Sequence, residues 1–205
     1  MNIMKLKYIL IAAALSVATA FTMDAQVGRR FYIDAGWQFN GTFSNDFVRN
    51  ASGWGAYAEG GYYVLPHLGV GAFASFNTNN EYIPKATYDL GNGAGLTTDM
   101  AHSLFQIPFG AELRYRFTYT RFQPYVGAKL GANYAEAYRF MSTFGMRDSG
   151  WGFYVSPEIG FTWHPFRKSN FGFQLAAYYA YSTNRSEAFN INGINNAGFK
   201  LGLSF

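Results

Sequence analysis

Eight ionisable residues stand on the polar side of segments that alternate apolar and polar residues with a period of two. They are the acids Asp34, Glu59, Glu112 and Glu158 and the bases Arg114, Arg116, Lys129 and Lys200. Side chains at every second position of a strand share one face. Four charges of each sign on faces that turn the same way predict an interior ion-pair network, since an uncompensated buried charge costs several kcal/mol. Glu59, Glu112 and Glu158 recur near the middle of the second, fourth and sixth segments, with Arg114, Lys129 and Lys200 as partners. Three chemistries fit this set: a network that plugs and stiffens a narrow space, a gate whose pairs switch to pass small ions, or a catalytic carboxylate.

Other chemistry is sparse. Cys is absent, which removes disulfides, thiolate metal sites and Cys nucleophiles. His67, His102 and His164 are scattered and read as turn or interfacial residues rather than metal ligands. His102 beside Ser103 suggests an acyl hydrolase, but adjacent strand residues point to opposite faces and cannot easily share a hydrogen bond. The sequence contains no G-x-S-x-G, H-E-x-x-H or P-loop pattern. No metal, cofactor or catalytic residue is therefore assigned, and the chain is not expected to be an enzyme.

The elements that position the charges are legible from the alternation. The eight segments run Arg30–Asn40, Trp54–Val64, Leu68–Asn77, Phe105–Phe117, Phe122–Ala135, Gly152–His164, Asn170–Tyr181 and Ala197–Phe205. Their apolar faces carry, for example, Phe31, Ile33, Ala35, Trp37 and Phe39 in the first, and Val126, Ala128, Leu130, Ala132 and Tyr134 in the fifth. Most are about ten residues long, the length a tilted strand needs to cross a bilayer. Pro108 and Pro157 fall inside segments, and a bulge is expected at each because proline cannot donate to a ladder.

Connections alternate in length. Leu65–His67, Thr118–Arg121 and Pro165–Ser169 are tight turns; Gly41–Gly53, Thr78–Leu104, Glu136–Trp151 and Ser182–Asn196 are long and polar, and are expected to be loops. That pattern predicts an all-β fold, an eight-stranded antiparallel transmembrane β-barrel with periplasmic turns, extracellular loops and both termini periplasmic. A soluble barrel would put many Lys, Glu and Thr on its polar face; here that face is mostly Gly, Tyr, Asn and Ser, which suits a crowded interior. The composition agrees: 20% aromatic, 23 Gly and only 14% charged, where soluble domains carry roughly a quarter. Trp37, Trp54, Trp163 and Phe205 lie near segment ends, where interfacial girdles sit.

Residues 1–25 are read as a cleavable signal peptide, with Lys5 and Lys7, the apolar run Ile9–Leu15, and cleavage after Ala20 or Ala25. The barrel domain then spans 26–205. The net charge of +4 does not point to nucleic acid. Arg29, Arg30, Arg121, Arg167 and Lys168 gather on the turn side with no acid, facing anionic phospholipid headgroups. The long connections instead hold seven acids (Asp46, Glu81, Asp89, Asp99, Glu136, Asp148, Glu187) against five bases (Arg49, Lys85, Arg139, Arg147, Arg185).

The opening of the fifth segment, Gln123-Pro124-Tyr125-Val126-Gly127-Ala128, and the ending Phe199-Lys200-Leu201-Gly202-Leu203-Ser204-Phe205 resemble the OmpA/OmpX-like family of small outer-membrane β-barrel proteins. The likeness covers about Gln26 to Phe205. It implies an integral outer-membrane barrel among outer-membrane lipids, and it makes Phe199, Leu201, Leu203 and Phe205 the signal read by the barrel-assembly machinery. Lys129 stands where many relatives have another Gly. The family includes adhesins, small channels and lipid-modifying enzymes. The reading is a plugged barrel with a structural or surface-interaction role and an extracellular ligand at its loops. The alternatives are a small channel or transporter of ions or apolar solutes, and a lipid-modifying enzyme.

Overall fold

Alternation with one oily face requires a sheet buried on that face, and a sheet with no free edge must close. The computed structural model, which describes residues 30–43, 47–89, 91, 95–141, 144–166 and 169–205, does this. The expected signal peptide lies outside the described residues. The strands are β1 (Phe31–Phe43), β2 (Gly55–Tyr63), β3 (Leu68–Asp89), β4 (Gly95–Arg116), β5 (Phe122–Met141), β6 (Phe144–Trp163), β7 (Gly172–Ser186) and β8 (Ile191–Ser204). They form a closed barrel in sequence order, every neighbour antiparallel. The seam is β1 against β8, from Asp34 opposite Ser204 to Phe43 opposite Asn195. Backbone bonds between Ile33 and Phe205, 3.1 and 2.8 Å, extend it to the last residue.

The faces follow the pleat. Trp37, Val70, Leu113, Val126, Leu130, Ile159, Leu201 and Leu203 are exposed on the outer wall, while Tyr57, Phe73, Tyr125, Tyr154 and Tyr178 are buried inside. Large inner rings need small neighbours: a Cβ at Gly160 would stand 2.9 Å from the Tyr125 hydroxyl and 2.7 Å from Ala176 Cβ. Outward aromatics touch at two levels. At the turn end are Tyr115–Phe117, Trp163–Phe173 and Phe171–Phe205, and further up are Trp37–Phe199 and Tyr134–Trp151. Two aromatic belts separated by an apolar band are the signature of a wall that meets lipid.

Three of the expected long loops are largely strand. β3 and β4 continue to Asp89 and from Gly95, β5 and β6 to Met141 and from Phe144, and β7 and β8 to Ser186 and from Ile191. The oily alternation stops where the wall leaves the bilayer, but backbone pairing needs no oily face and carries on. The bulges expected at Pro108 and Pro157 are not there. Register is unchanged across both, from Ala74–Phe109 to Asn77–Gln106 and from Val155–Tyr181 to Glu158–Tyr178, with the ladder only interrupted. At Pro157 the Ser156 hydroxyl donates to Tyr179 O at 2.8 Å and supplies a donor beside the missing N–H. The register does shift between Ile83 and Ala86, around Pro84, and again between Ser182 and Arg185.

The facing assignment predicts asymmetric tolerance. Val126→Arg, on the lipid face, is expected to lower stability by about 2–4 kcal/mol in a lipid refolding assay, while Val126→Leu is close to neutral. Equal stability of the Arg and Leu variants would refute the assignment.

Candidate functional site in the barrel interior

The inward charges come from β1, β2, β4, β5, β6 and β8, so their meeting depends on closure. Asp34 on β1 is directly opposite Glu59 on β2. Two facing carboxylates repel, and Arg114 from β4 separates their charges: Nη1 donates to Asp34 Oδ2 at 2.5 Å and Nη2 to Glu59 Oε1 at 2.6 Å. Its Nε donates to Glu112 Oε1 at 3.0 Å, two residues away on the same strand face. The guanidinium is held flat between the rings of Tyr32 and Tyr125, 4.1 and 4.2 Å from their centroids. Delocalised charge over aromatic faces is a favourable arrangement for Arg and a poor one for Lys.

Glu59 is the hub. Its Oε2 accepts from Lys129 Nζ and, at 3.3 Å, from Lys200 Nζ. Both ammonium groups also donate to Glu158 Oε2, each at 2.7 Å. Gln174 Nε2 donates to Glu59 Oε1 at 2.7 Å, and the Tyr125 hydroxyl donates to Glu158 Oε1 at 2.8 Å. Asp34, Glu59, Glu112, Arg114, Lys129, Glu158 and Lys200 thus form one buried cluster of four carboxylates and three cations. The remaining sequence candidate, Arg116, does not join it. Its guanidinium lies 3.6 Å from the Tyr63 ring centroid at the turn end and donates to Pro66 O.

Above the charges, the same inward faces change chemistry. Gln38 donates to Asn77 and to Tyr178, Asn40 to Asn79 and Asn196, and Asn133 to Gln106, Ser182 and Asn184. This amide layer was not among the sequence candidates, although Gln38/Asn40 and Asn77/Asn79 are period-two pairs that mark it. Higher still, Phe47 and Val48 fold inward against Leu104, Ala137, Phe189 and Ile194 to make an apolar cap. That cap joins segments from five parts of the chain and has no local signal.

His102 anchors the cap. Its ring stacks on Phe47 at 4.4 Å, Nδ1 lies 2.7 Å from Phe47 O, and Arg139 Nε donates to Nε2 at 3.0 Å. A carbonyl can only accept, so Nδ1 carries the proton and Nε2 is the acceptor: the ring is neutral. His102 lies beyond the ten or so residues that carry β4 across the bilayer from Arg116. Burial first, and then the Arg139 charge, lower its pKa below the ordinary histidine value, against the pull of the Phe47 bond and Glu81. His67 stays at the turn end, with Nδ1 2.7 Å from Arg116 O. Among the described residues no group of His, Asp and Glu could hold a metal ion.

A closed eight-stranded antiparallel barrel with an oily outer belt defines a small outer-membrane barrel. The family described as "Outer membrane protein beta-barrel domain" matches residues 10–205, and the chain belongs to it. It is similar in fold to Neisserial surface protein A at 16% identity and a TM-score of 0.54, over 85% of this chain and 95% of that one. Matches also include Ail, the attachment invasion locus protein of Yersinia pestis, at 17% identity, covering 85% and 97% of the two chains with a TM-score of 0.47. A third is OprG of Pseudomonas aeruginosa, at 16% identity over 87% and 97%, TM-score 0.42. No curated protein matches the chain in sequence.

Two outcomes follow from this geometry. Lys129→Ala leaves Glu59 and Glu158 short of a cation, and is expected to cost about 3–5 kcal/mol in urea unfolding from lipid vesicles, with Lys129→Arg intermediate. For the cap, the folded state holds fewer protons than the unfolded one at His102, so its stability is full above about pH 6.5 and falls as pH drops below that value. Protease cleavage near Phe47 should therefore rise on acidification, and His102→Gln should remove most of that pH dependence. A pH-independent cleavage rate in the parent would refute the neutral-imidazole anchor.

Proposed function

We propose that this outer-membrane barrel has an occluded interior and serves as a structural and surface-interaction protein rather than a porin or an enzyme. The observation that carries this is the filling of the interior by the Glu59 cluster, the amide layer above it and the cap over both. Eight strands leave room only for side chains. Here Arg114, Tyr125, Lys129, Gln38, Gln106 and Gln174 are all under 2% exposed. Every carboxylate of the cluster is ion-paired and buried, which leaves it committed to the cluster's own cations rather than open to a substrate. The barrel sits with its three short turns and both chain ends in the periplasm, and with the long hairpins outside. Tyr82, Phe140 and Phe144, which are 64, 50 and 75% exposed on those hairpins, together with Tyr88 and Met141, are the contacts for an extracellular ligand.

Planar-bilayer recording tests the occluded interior. The parent is expected to show rare, low-conductance openings, and Lys129→Ala more frequent ones. A large, steady open-pore conductance in the parent would overturn the reading in favour of a channel.

Biogenesis supplies a second test. Phe205 is at the seam, bonded through its backbone to Ile33 and packed on Phe171 at 5.9 Å. With Phe199, Leu201 and Leu203 it forms the outward row that the barrel-assembly machinery reads. Deleting Phe205 is expected to lower the folded yield in cells far more than Leu203→Val does. Normal membrane levels of the deletion would show that the carboxyl end is not the recognition element.

A further inference from the structure

A cavity of about 300 Å³ opens at the turn end of the barrel between the start of β1, the β2–β3 turn and the end of β4. Its chemistry differs from the rest of the interior. Arg30, Tyr62, Tyr63, Pro66, Arg116 and Tyr119 line it, and among the described residues no carboxylate does. Arg116 is only 4% exposed, yet among the described residues it has no acidic partner. Its plane is fixed by the Tyr63 and Tyr119 rings, at 3.6 and 4.6 Å, and by the bond from Nε to Pro66 O. The Tyr119 hydroxyl has no hydrogen-bond partner among the described residues. Arg30 stands on the other side, with Nη1 donating to the Tyr62 hydroxyl at 3.0 Å.

A buried guanidinium held rigid without a counter-charge is costly unless something anionic answers it. Its planar fork matches a phosphate oxygen pair, and tyrosine hydroxyls add neutral donors. The rim supplies the other half of an amphiphile site. Val64 and Leu65 are 54 and 58% exposed beside the cavity, and the outward aromatic belt of Tyr115 and Phe117 is at the same end of the wall. Polar anion-binding groups behind an apolar rim, at the level where headgroups lie, fit one class of ligand.

We propose that this cavity is a specific site for the phosphate of a membrane phospholipid, with Arg116 and Arg30 binding the headgroup and Val64 and Leu65 meeting the first acyl methylenes. The site anchors the barrel at a fixed depth in the inner leaflet. The proposal rests on the periplasmic placement of the turn end, but binding is read in detergent, where neither orientation nor conductance enters.

The test uses protein refolded in a neutral, phosphate-free detergent and titrated with three probes: short-chain phosphatidylglycerol, the diacylglycerol of the same chains, and inorganic phosphate. Side-chain NMR signals of Arg and Tyr follow binding. Phosphatidylglycerol is expected to saturate and to shift Arg116 and Tyr119 resonances, with the other two at least 10-fold weaker. Arg30→Ala, an exposed change that leaves the fold intact, should weaken phosphatidylglycerol roughly 10-fold, as loss of a charged hydrogen bond does. Arg116→Met should weaken it further, and Arg185→Ala at the opposite end should change nothing. Equal binding of diacylglycerol would overturn the headgroup site. Equal binding of inorganic phosphate would overturn the lipid as its source. Absence of saturation with every probe, or indifference to Arg30→Ala, would overturn the site itself.

Discussion

Closing eight tilted strands leaves an interior no wider than the side chains that fill it, and in this chain those side chains include the carboxylates of Asp34, Glu59, Glu112 and Glu158. Such groups cannot be buried singly. Their placement is acceptable only because Arg114, Lys129 and Lys200 reach them, for all but Glu112 from other strands, each cation serving at least two carboxylates. The cluster therefore does more than fill space. It ties β1, β2, β4, β5, β6 and β8 across the lumen at one level, which ladder bonds between neighbours cannot do. A register slip of one residue in any of these strands would turn its charge towards lipid, so the same interaction that fills the barrel also specifies its register.

The outer wall is governed by the opposite rule. Lipid accepts no unpaired backbone group, so every strand must be bonded on both sides and prolines become a problem. The chain handles them in two ways. Inside the wall, at Pro108 and Pro157, register is preserved and the ladder is interrupted, with the Ser156 hydroxyl bonding Tyr179 O near the second gap. Beyond the bilayer, at Pro84, the strand simply shifts by a residue. A bulge is cheap where water can solvate the freed groups and costly where it cannot.

From the Glu59 cluster towards the hairpin end the interior becomes progressively less charged, from ions to amides to the apolar cap around Phe47 and Phe189. Towards the turn end the charge persists at Arg116, which is stacked on tyrosines rather than paired. The two ends of the lumen are thus chemically distinct: at one, Phe47 and Val48 fold in beside a neutral His102, and at the other Arg116 lines a basic pocket.

The period-two alternation determined the strand number, their order around the barrel, and which face of each meets lipid, because a bilayer imposes one oily face on every strand that crosses it. It also picked out the eight interior charges, which stand out against faces of Gly, Tyr, Asn and Ser. Strand ends were not legible: alternation reports where the wall meets hydrocarbon, whereas β3 to β8 extend beyond it on backbone bonds that leave no pattern in side-chain type. Which charge meets which was also beyond the sequence. Arg116 and Arg114 are two residues apart on one face, yet one joins the Glu59 cluster and the other stacks at the turn end. Only closure, which sets the depth of each residue through strand tilt and stagger, separates them. The cap and the basic pocket belong to the same category, since each is assembled from segments distant in the chain that share nothing until the barrel brings their ends together.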